Sequence, residues 1–123
     1  MNWSYIASGL AAVTFCVHTF VGGIYVARPL LFDIDLPRAA KWLAYYCWHI
    51  ATVLLAFTAI GFLVEGIWPS DKRLSIFLTI TCFATSALSV YVARKGEIHP
   101  LRFPSTSLLA LTGLGGLVSI FVH

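Results

Sequence analysis

Charge is scarce in this sequence, and that scarcity is the first constraint on its fold. Only 11% of the 123 residues are Asp, Glu, Lys or Arg, whereas 59% are hydrophobic. A soluble globular domain has about 25% charged residues, so this chain lacks the polar surface that such a domain presents to water. We therefore expect most of its apolar side chains to face lipid, which excludes an ordinary soluble domain.

Charged residues are also completely absent from four long stretches of the chain. Each stretch is close to the ~20 residues that an α-helix needs to cross the ~30 Å hydrocarbon core of a bilayer. We predict an all-α polytopic membrane protein, a single domain over residues 1–123 in which four transmembrane helices form an up-down bundle with short loops. The predicted spans are approximately 4–27, 42–64, 74–93 and 105–122.

Basic residues are missing from the first 27 positions, where a cleaved signal peptide would carry them, so we expect the first helix to be retained. Six of the eight basic residues fall around the first and third connections: Arg28, Arg38, Lys41, Arg94, Lys95 and Arg102. Cytoplasmic loops carry an excess of Lys and Arg, so we expect a bacterial inner-membrane protein with both termini outside the cytoplasm. The net charge of +3 implies contact with the lipid bilayer and no nucleic-acid partner.

Small and weakly polar residues recur at helical spacing in every predicted span. The third span carries Ser75, Thr79, Cys82, Ser86, Ser89 and Ala93, and the second carries Tyr45, His49, Thr52, Ala56 and Ala59. Such residues form helix contacts in membranes, because they let backbones approach and offer hydroxyls for hydrogen bonds. We predict that both stripes face inward and that Gly22, Gly113 and Gly116 are helix-packing residues. We also expect a homo-oligomer or a place in a larger membrane complex.

Two histidines, His18 and His49, are predicted deep within the first and second spans. Counted from Arg28 and Lys41, both lie about 12–15 Å from the same end of the bundle. An ionisable group inside a bilayer is by default a functional-site hypothesis. The candidate chemistries are axial ligation of a b-type haem, binding of a metal ion completed by Cys or Ser, and proton relay. The alternative is that each imidazole only hydrogen-bonds a facing Ser, Thr or Tyr.

Cysteine is sparse, with three residues on three different spans. Cys16 and Cys47 each precede a histidine by two positions, but residues two apart on a helix point ~200° away from each other and do not grip one ion. The odd count and wide spacing exclude a disulfide framework and a covalent haem site. We expect all three thiols to act as small apolar packing groups.

Carboxylates are expected only in loops or at their edges. The length and helix count resemble the small multidrug-resistance transporters, whose first helix carries an embedded Glu; this sequence has none there, and we reject that family. The two histidines resemble those of the membrane anchors of quinone-linked oxidoreductases, but no further motif matches, so we assign no family.

The sequence therefore predicts a small integral membrane protein that is a non-catalytic oligomer or an accessory subunit of a membrane complex. One alternative is a redox subunit that binds haem b or a metal ion through His18 and His49. A second alternative is a small transporter or channel with a hydrated path along the Ser and Thr stripe of the third span.

Overall fold

The computed structural model describes residues 2–69 and 72–122, and Met1, Ser70, Asp71 and His123 lie outside the described residues. Four helices are long and apolar enough to cross a membrane: α1 (Trp3–Phe32), α2 (Arg38–Ile67), α3 (Arg73–Lys95) and α4 (Pro104–Phe121). No strand occurs in the described part of the chain. The prediction of an all-α four-helix fold is confirmed, and the four helices indicate an integral membrane protein.

The first two helices continue beyond their charge-free stretches into the charged segments of the sequence. Helix α1 passes through Arg28 and Pro29 and ends at Phe32, while α2 already begins at Arg38. The connection between them is an Asp33-centred turn, in which Oδ1 of Asp33 accepts from the backbone N–H groups of Asp35 (2.8 Å) and Leu36 (3.0 Å). The helices are longer because charged side chains stay compatible with helix in the headgroup region, where water and lipid phosphates solvate them.

The helices pack as two hairpins, and the two hairpins meet mainly through α1 and α4. Helix α1 packs against α2 and α4, and α3 packs against α4, whereas α2 and α3 touch much less. We call the end that carries the 33–37 and 96–103 connections the basic end, because six of the eight basic residues flank it. The end with the 68–72 connection is the opposite end.

The seam between α3 and α4 follows the predicted polar stripe. Of that stripe, Ser75, Thr79, Cys82, Ser86 and Ala93 are buried. The Ser86 hydroxyl donates to the Thr106 carbonyl (2.8 Å), and Ser89 Oγ lies 2.7 Å from Thr106 Oγ1. These bonds join α3 to the start of α4, and the burial of the stripe from Ser75 to Ala93 confirms its inward orientation.

At the opposite end a hydrogen bond closes each hairpin. There the Ser8 hydroxyl donates to the Ala59 carbonyl (2.8 Å), and Lys72 Nζ donates to the Ile120 carbonyl at the end of α4 (2.6 Å). The buried residues of α1, apart from Ala27, are Ser4, Ala7, Ala11 and Thr14, and those of α2 are Thr58, Phe62, Glu65 and Gly66. These residues lie in the halves of α1 and α2 near the opposite end. Toward the basic end, the α1–α2 hairpin is therefore largely uncovered by the other two helices.

Candidate functional site

His18 lies against the indole of Trp48 in the half of α1 nearer the basic end. The two rings are stacked, with centroids 3.9 Å apart and planes inclined by 17°. His18 Nε2 is 3.3 Å from the Trp48 carbonyl oxygen, so that nitrogen acts as the donor. The indole also fills the space beside Gly22, where a Cβ atom would lie 2.5 Å from Cη2 of Trp48. One side chain of α2 thus contacts both predicted site residues of α1.

His49 is exposed, which corrects the expectation that it faces inward with the rest of the α2 stripe. Its ring meets the ring of Tyr45 edge-on at 4.5 Å, and it forms no hydrogen bond with any residue that the structure describes. His49 is exposed because α2 buries the opposite face, the one that carries Thr58. Thr58 is nine residues from His49, and at ~100° per residue it lies ~180° around the helix.

Two cavities flank the Trp48 indole. The larger, of about 540 Å³, lies between α1, α2 and the start of α4, and His18 is on its wall. The smaller, of about 350 Å³, is lined only by α1 and α2, and includes His49. Trp48 lines both cavities. The two imidazoles therefore line different cavities, and Trp48 contributes to the wall of both.

Two π-helical turns interrupt α1 beside these cavities. The backbone N–H of Gly22 donates to the Val17 carbonyl, and that of Arg28 donates to the Gly23 carbonyl, each five residues back. A π turn holds an extra residue, so it rotates everything that follows relative to a regular α-helix. Such turns are often found at functional sites. Within the two π turns, Val17–Val21 and Gly23–Ala27, only Ala27 is buried.

The three predicted packing glycines each accommodate a neighbouring side chain. A Cβ atom on Gly113 would lie 3.0 Å from Cε1 of Phe83, and one on Gly116 would lie 2.7 Å from Cζ of Phe62 and would collide with the Thr79 hydroxyl. Close approach of backbones occurs instead at Gly115, whose Cβ position is 3.4 Å from Cα of Ala7. The sequence alone does not predict which glycine of α4 meets a backbone, because Gly113, Gly115 and Gly116 together cover most of the helix circumference.

Glu65, expected at a loop edge, is buried instead. It belongs to α2 and is only 4% exposed. Its carboxylate makes no hydrogen bond or ion pair with any described residue. The signal that could have revealed it is its spacing of three from Phe62 and seven from Thr58, which places it on the same face.

The remaining metal-ligating side chains are dispersed. Cys16 and Cys47 are exposed and Cys82 is buried, all three as free thiols. Within residues 2–69 and 72–122, no three His, Cys, Asp or Glu side chains are grouped so that they could hold a metal ion. The haem or metal role of His18 and His49 stays a prediction. The chain matches no model of a known protein family, no curated protein and no solved structure.

Proposed function

We propose that this membrane protein is a non-catalytic subunit that assembles with copies of itself through the α1–α2 hairpin. The observation that carries the proposal is the smaller cavity, which we call the polar crevice. It is lined by Thr19, Gly23, Ala27, Arg28, Leu31, Phe32, Tyr45, Trp48, His49 and Thr52. No residue of α3 or α4 takes part in it, so this polar face of the hairpin points away from the rest of the bundle.

Polar groups in the crevice lack partners within the chain. The Thr19 hydroxyl oxygen is shielded from solvent and forms no hydrogen bond with the described residues, and neither does the His49 ring. In hydrocarbon an unpaired donor or acceptor is costly, because no water replaces the missing partner. A neighbouring helix that offers hydroxyl or imidazole groups removes this cost.

A second copy has the chemistry that the crevice needs. Neutral imidazole has one donor and one acceptor nitrogen, and a threonine hydroxyl both donates and accepts. Two identical faces with such groups are complementary when related by a two-fold axis, which is the commonest symmetry of oligomers. Pairing of two crevices would therefore give the exposed His49 ring a hydrogen-bonding partner in both chains.

The side-chain geometry supports a non-catalytic role over the two alternatives. A redox centre held by both histidines would need Trp48 to leave the space between the two cavities. A hydrated path along α3 would need Ser86 and Ser89, whose hydroxyls are already hydrogen-bonded to α4. Among the residues that the structure describes, no Asp or Glu lines either cavity.

Oxidative cross-linking in native membranes tests the proposal. In a variant with the exposed Cys16 and Cys47 changed to Ala, Thr52→Cys places a thiol in the crevice, and Leu88→Cys places one on the exposed face of α3. We expect a cross-linked dimer with Thr52→Cys and none with Leu88→Cys. Addition of His49→Leu to Thr52→Cys should weaken dimerisation by about 0.6–1.7 kcal/mol, the range of hydrogen bonds between membrane helices.

The outcomes separate self-assembly from the accessory-subunit role. A single-copy mass in membranes and in detergent, with no cross-link at either position, would overturn assembly through the crevice. A cross-link at Leu88→Cys alone would place the contact on α3 instead.

A further inference from the structure

The larger cavity is a second site, independent of the crevice, and we propose that it binds one acyl chain of an anionic membrane lipid, with Arg102 at the lipid headgroup. Its walls come from α1, α2 and α4, so it occupies the gap between the two hairpins. Its volume of about 540 Å³ falls within the ~300–1,000 Å³ of small-molecule sites. We call it the inter-hairpin cavity.

The inter-hairpin cavity runs along one half of the bundle. On α1 it extends from Thr14 to Val26, which is about 18 Å of helix. On the other side it extends from Leu109 of α4 back to Arg102 in the 96–103 connection. Because α1 and α4 run in opposite directions, Val26 and Arg102 mark the same end, the basic end. A length of about 18 Å is close to one leaflet of a ~30 Å hydrocarbon core. The cavity therefore has the length and placement of a chain in that leaflet.

The walls of the cavity are apolar in effect. Val17, Val21, Leu55, Leu108 and Leu109 contribute hydrocarbon surface. Three polar side chains of the wall are already hydrogen-bonded within the protein: Thr14 donates to the Leu10 carbonyl (2.8 Å), His18 Nε2 bonds the Trp48 carbonyl, and Ser105 Oγ lies 3.0 Å from Ser89 Oγ. The Tyr25 hydroxyl and the Arg102 guanidinium, which form no such bond with a described residue, lie toward the basic end. Such walls favour an alkyl chain over a polar solute.

The charge of Arg102 determines at which end of the cavity the lipid headgroup lies. Arg102 lines the basic end of the cavity, and its guanidinium makes no hydrogen bond or ion pair with any residue that the structure describes. The described part of the chain places no Asp or Glu on the cavity wall to compete for it. A guanidinium binds phosphate oxygens through two parallel N–H donors. Arg102 thus selects an anionic headgroup, while the acyl chain extends toward Thr14 and Leu109.

Quenching of Trp48 fluorescence by brominated lipids tests the site, because Trp48 is on the cavity wall. Trp3, Trp42 and Trp68 are changed to Phe, and the full chain is reconstituted with either phosphatidylglycerol or phosphatidylcholine carrying bromine on one acyl chain. We expect the anionic lipid to compete for the site about fivefold better than the zwitterionic one, the preference that one basic side chain confers near a membrane surface.

Four variants make the outcome specific. Arg102→Gln should reduce the fivefold preference to near one, Arg102→Lys should retain most of it, and Arg94→Gln, at the same end but off the cavity wall, should leave it unchanged. Val17→Phe narrows the cavity and should reduce quenching by both lipids. Equal quenching by the two lipids, or a preference that survives Arg102→Gln, would overturn the proposal. So would quenching that Val17→Phe does not change in a protein with an unaltered helical circular dichroism spectrum.

Discussion

His18 and Trp48 are joined twice, by ring stacking at 3.9 Å and by the contact of 3.3 Å between His18 Nε2 and the Trp48 carbonyl. The stack holds the indole between the two cavities, with His18 on one and His49 on the other. The two cavities have different chemistry. The inter-hairpin cavity is apolar with a single guanidinium, and the polar crevice is rich in unpaired hydrogen-bonding groups. One tryptophan thus separates the lipid site that we propose from the surface for self-assembly.

The orientation of the bundle is the first prediction. Six of eight basic residues flank the basic end, and this imbalance should hold that end in the cytoplasm. A reporter fused to the carboxyl terminus should therefore be active only when the reporter works outside the cytoplasm. A matched fusion within the 33–37 connection should show the reverse pattern, and activity of a cytoplasmic reporter at the carboxyl terminus would contradict the orientation.

How much of this architecture was predictable depends on the helix concerned. The charge-free stretches predict the positions of all four helices, because the free-energy cost of a charged side chain in the hydrocarbon core makes such residues rare there. The α3 stripe was also predictable, since its residues follow a regular α-helical period, and Ser86 and Ser89 hydrogen-bond the start of α4.

Two features could not be predicted from the sequence, the orientation of α1 after Val17 and the buried face of α2, and each has a physical reason. The π turns in α1 change the angle per residue, so a face projected at ~100° per step no longer describes the segment after Val17. On α2, the small residues near His49 follow one face while Thr58, Phe62 and Glu65 bury another. In a membrane both lipid and protein accept apolar side chains, so hydrophobicity alone does not distinguish these two faces.

Close packing around Gly116 is the second prediction. Gly116→Leu adds a side chain where Phe62 of α2 and Thr79 of α3 already meet α4. We expect it to lower the free energy of unfolding by at least about 1–3 kcal/mol, the usual cost of overpacking. Thermal unfolding in detergent, followed by circular dichroism, measures the effect.

The matched control for Gly116→Leu is Leu117→Ala at the next position. Leu117 is 39% exposed and turns away from the core, so its truncation should change stability by no more than about 0.5 kcal/mol. Equal tolerance of the two substitutions would show that the packing face of α4 has been misassigned.

Glu65 provides the third prediction. Glu65 is only 4% exposed, and its carboxylate forms no hydrogen bond or ion pair with a described residue. A largely buried polar group without a hydrogen bond within the protein costs up to about 1–3 kcal/mol, more when it is charged. Glu65→Gln removes the ionisable group at constant shape and should raise the unfolding temperature. Glu97→Gln, at an exposed position in the third connection, should not change it. A lower unfolding temperature for Glu65→Gln would mean that the carboxylate is held by a favourable interaction.

The last prediction concerns the two histidines and separates packing from cofactor binding. A glutamine amide both donates and accepts, so His18→Gln can retain a bond to the Trp48 carbonyl and His49→Gln can retain bonds to a second copy. Because the rings line different cavities, we expect both variants to fold and dimerise like the parent, with identical absorption spectra. A leucine side chain neither donates nor accepts a hydrogen bond, so the two leucine variants should differ from each other. His18→Leu should lower the unfolding temperature, and His49→Leu should weaken the dimer. A visible absorption band in the parent protein that either glutamine variant abolishes, with the bundle intact, would contradict this account, because an amide is a poor ligand for haem iron or for a metal ion. That result would establish the redox alternative and would require Trp48 to leave the space between the two rings.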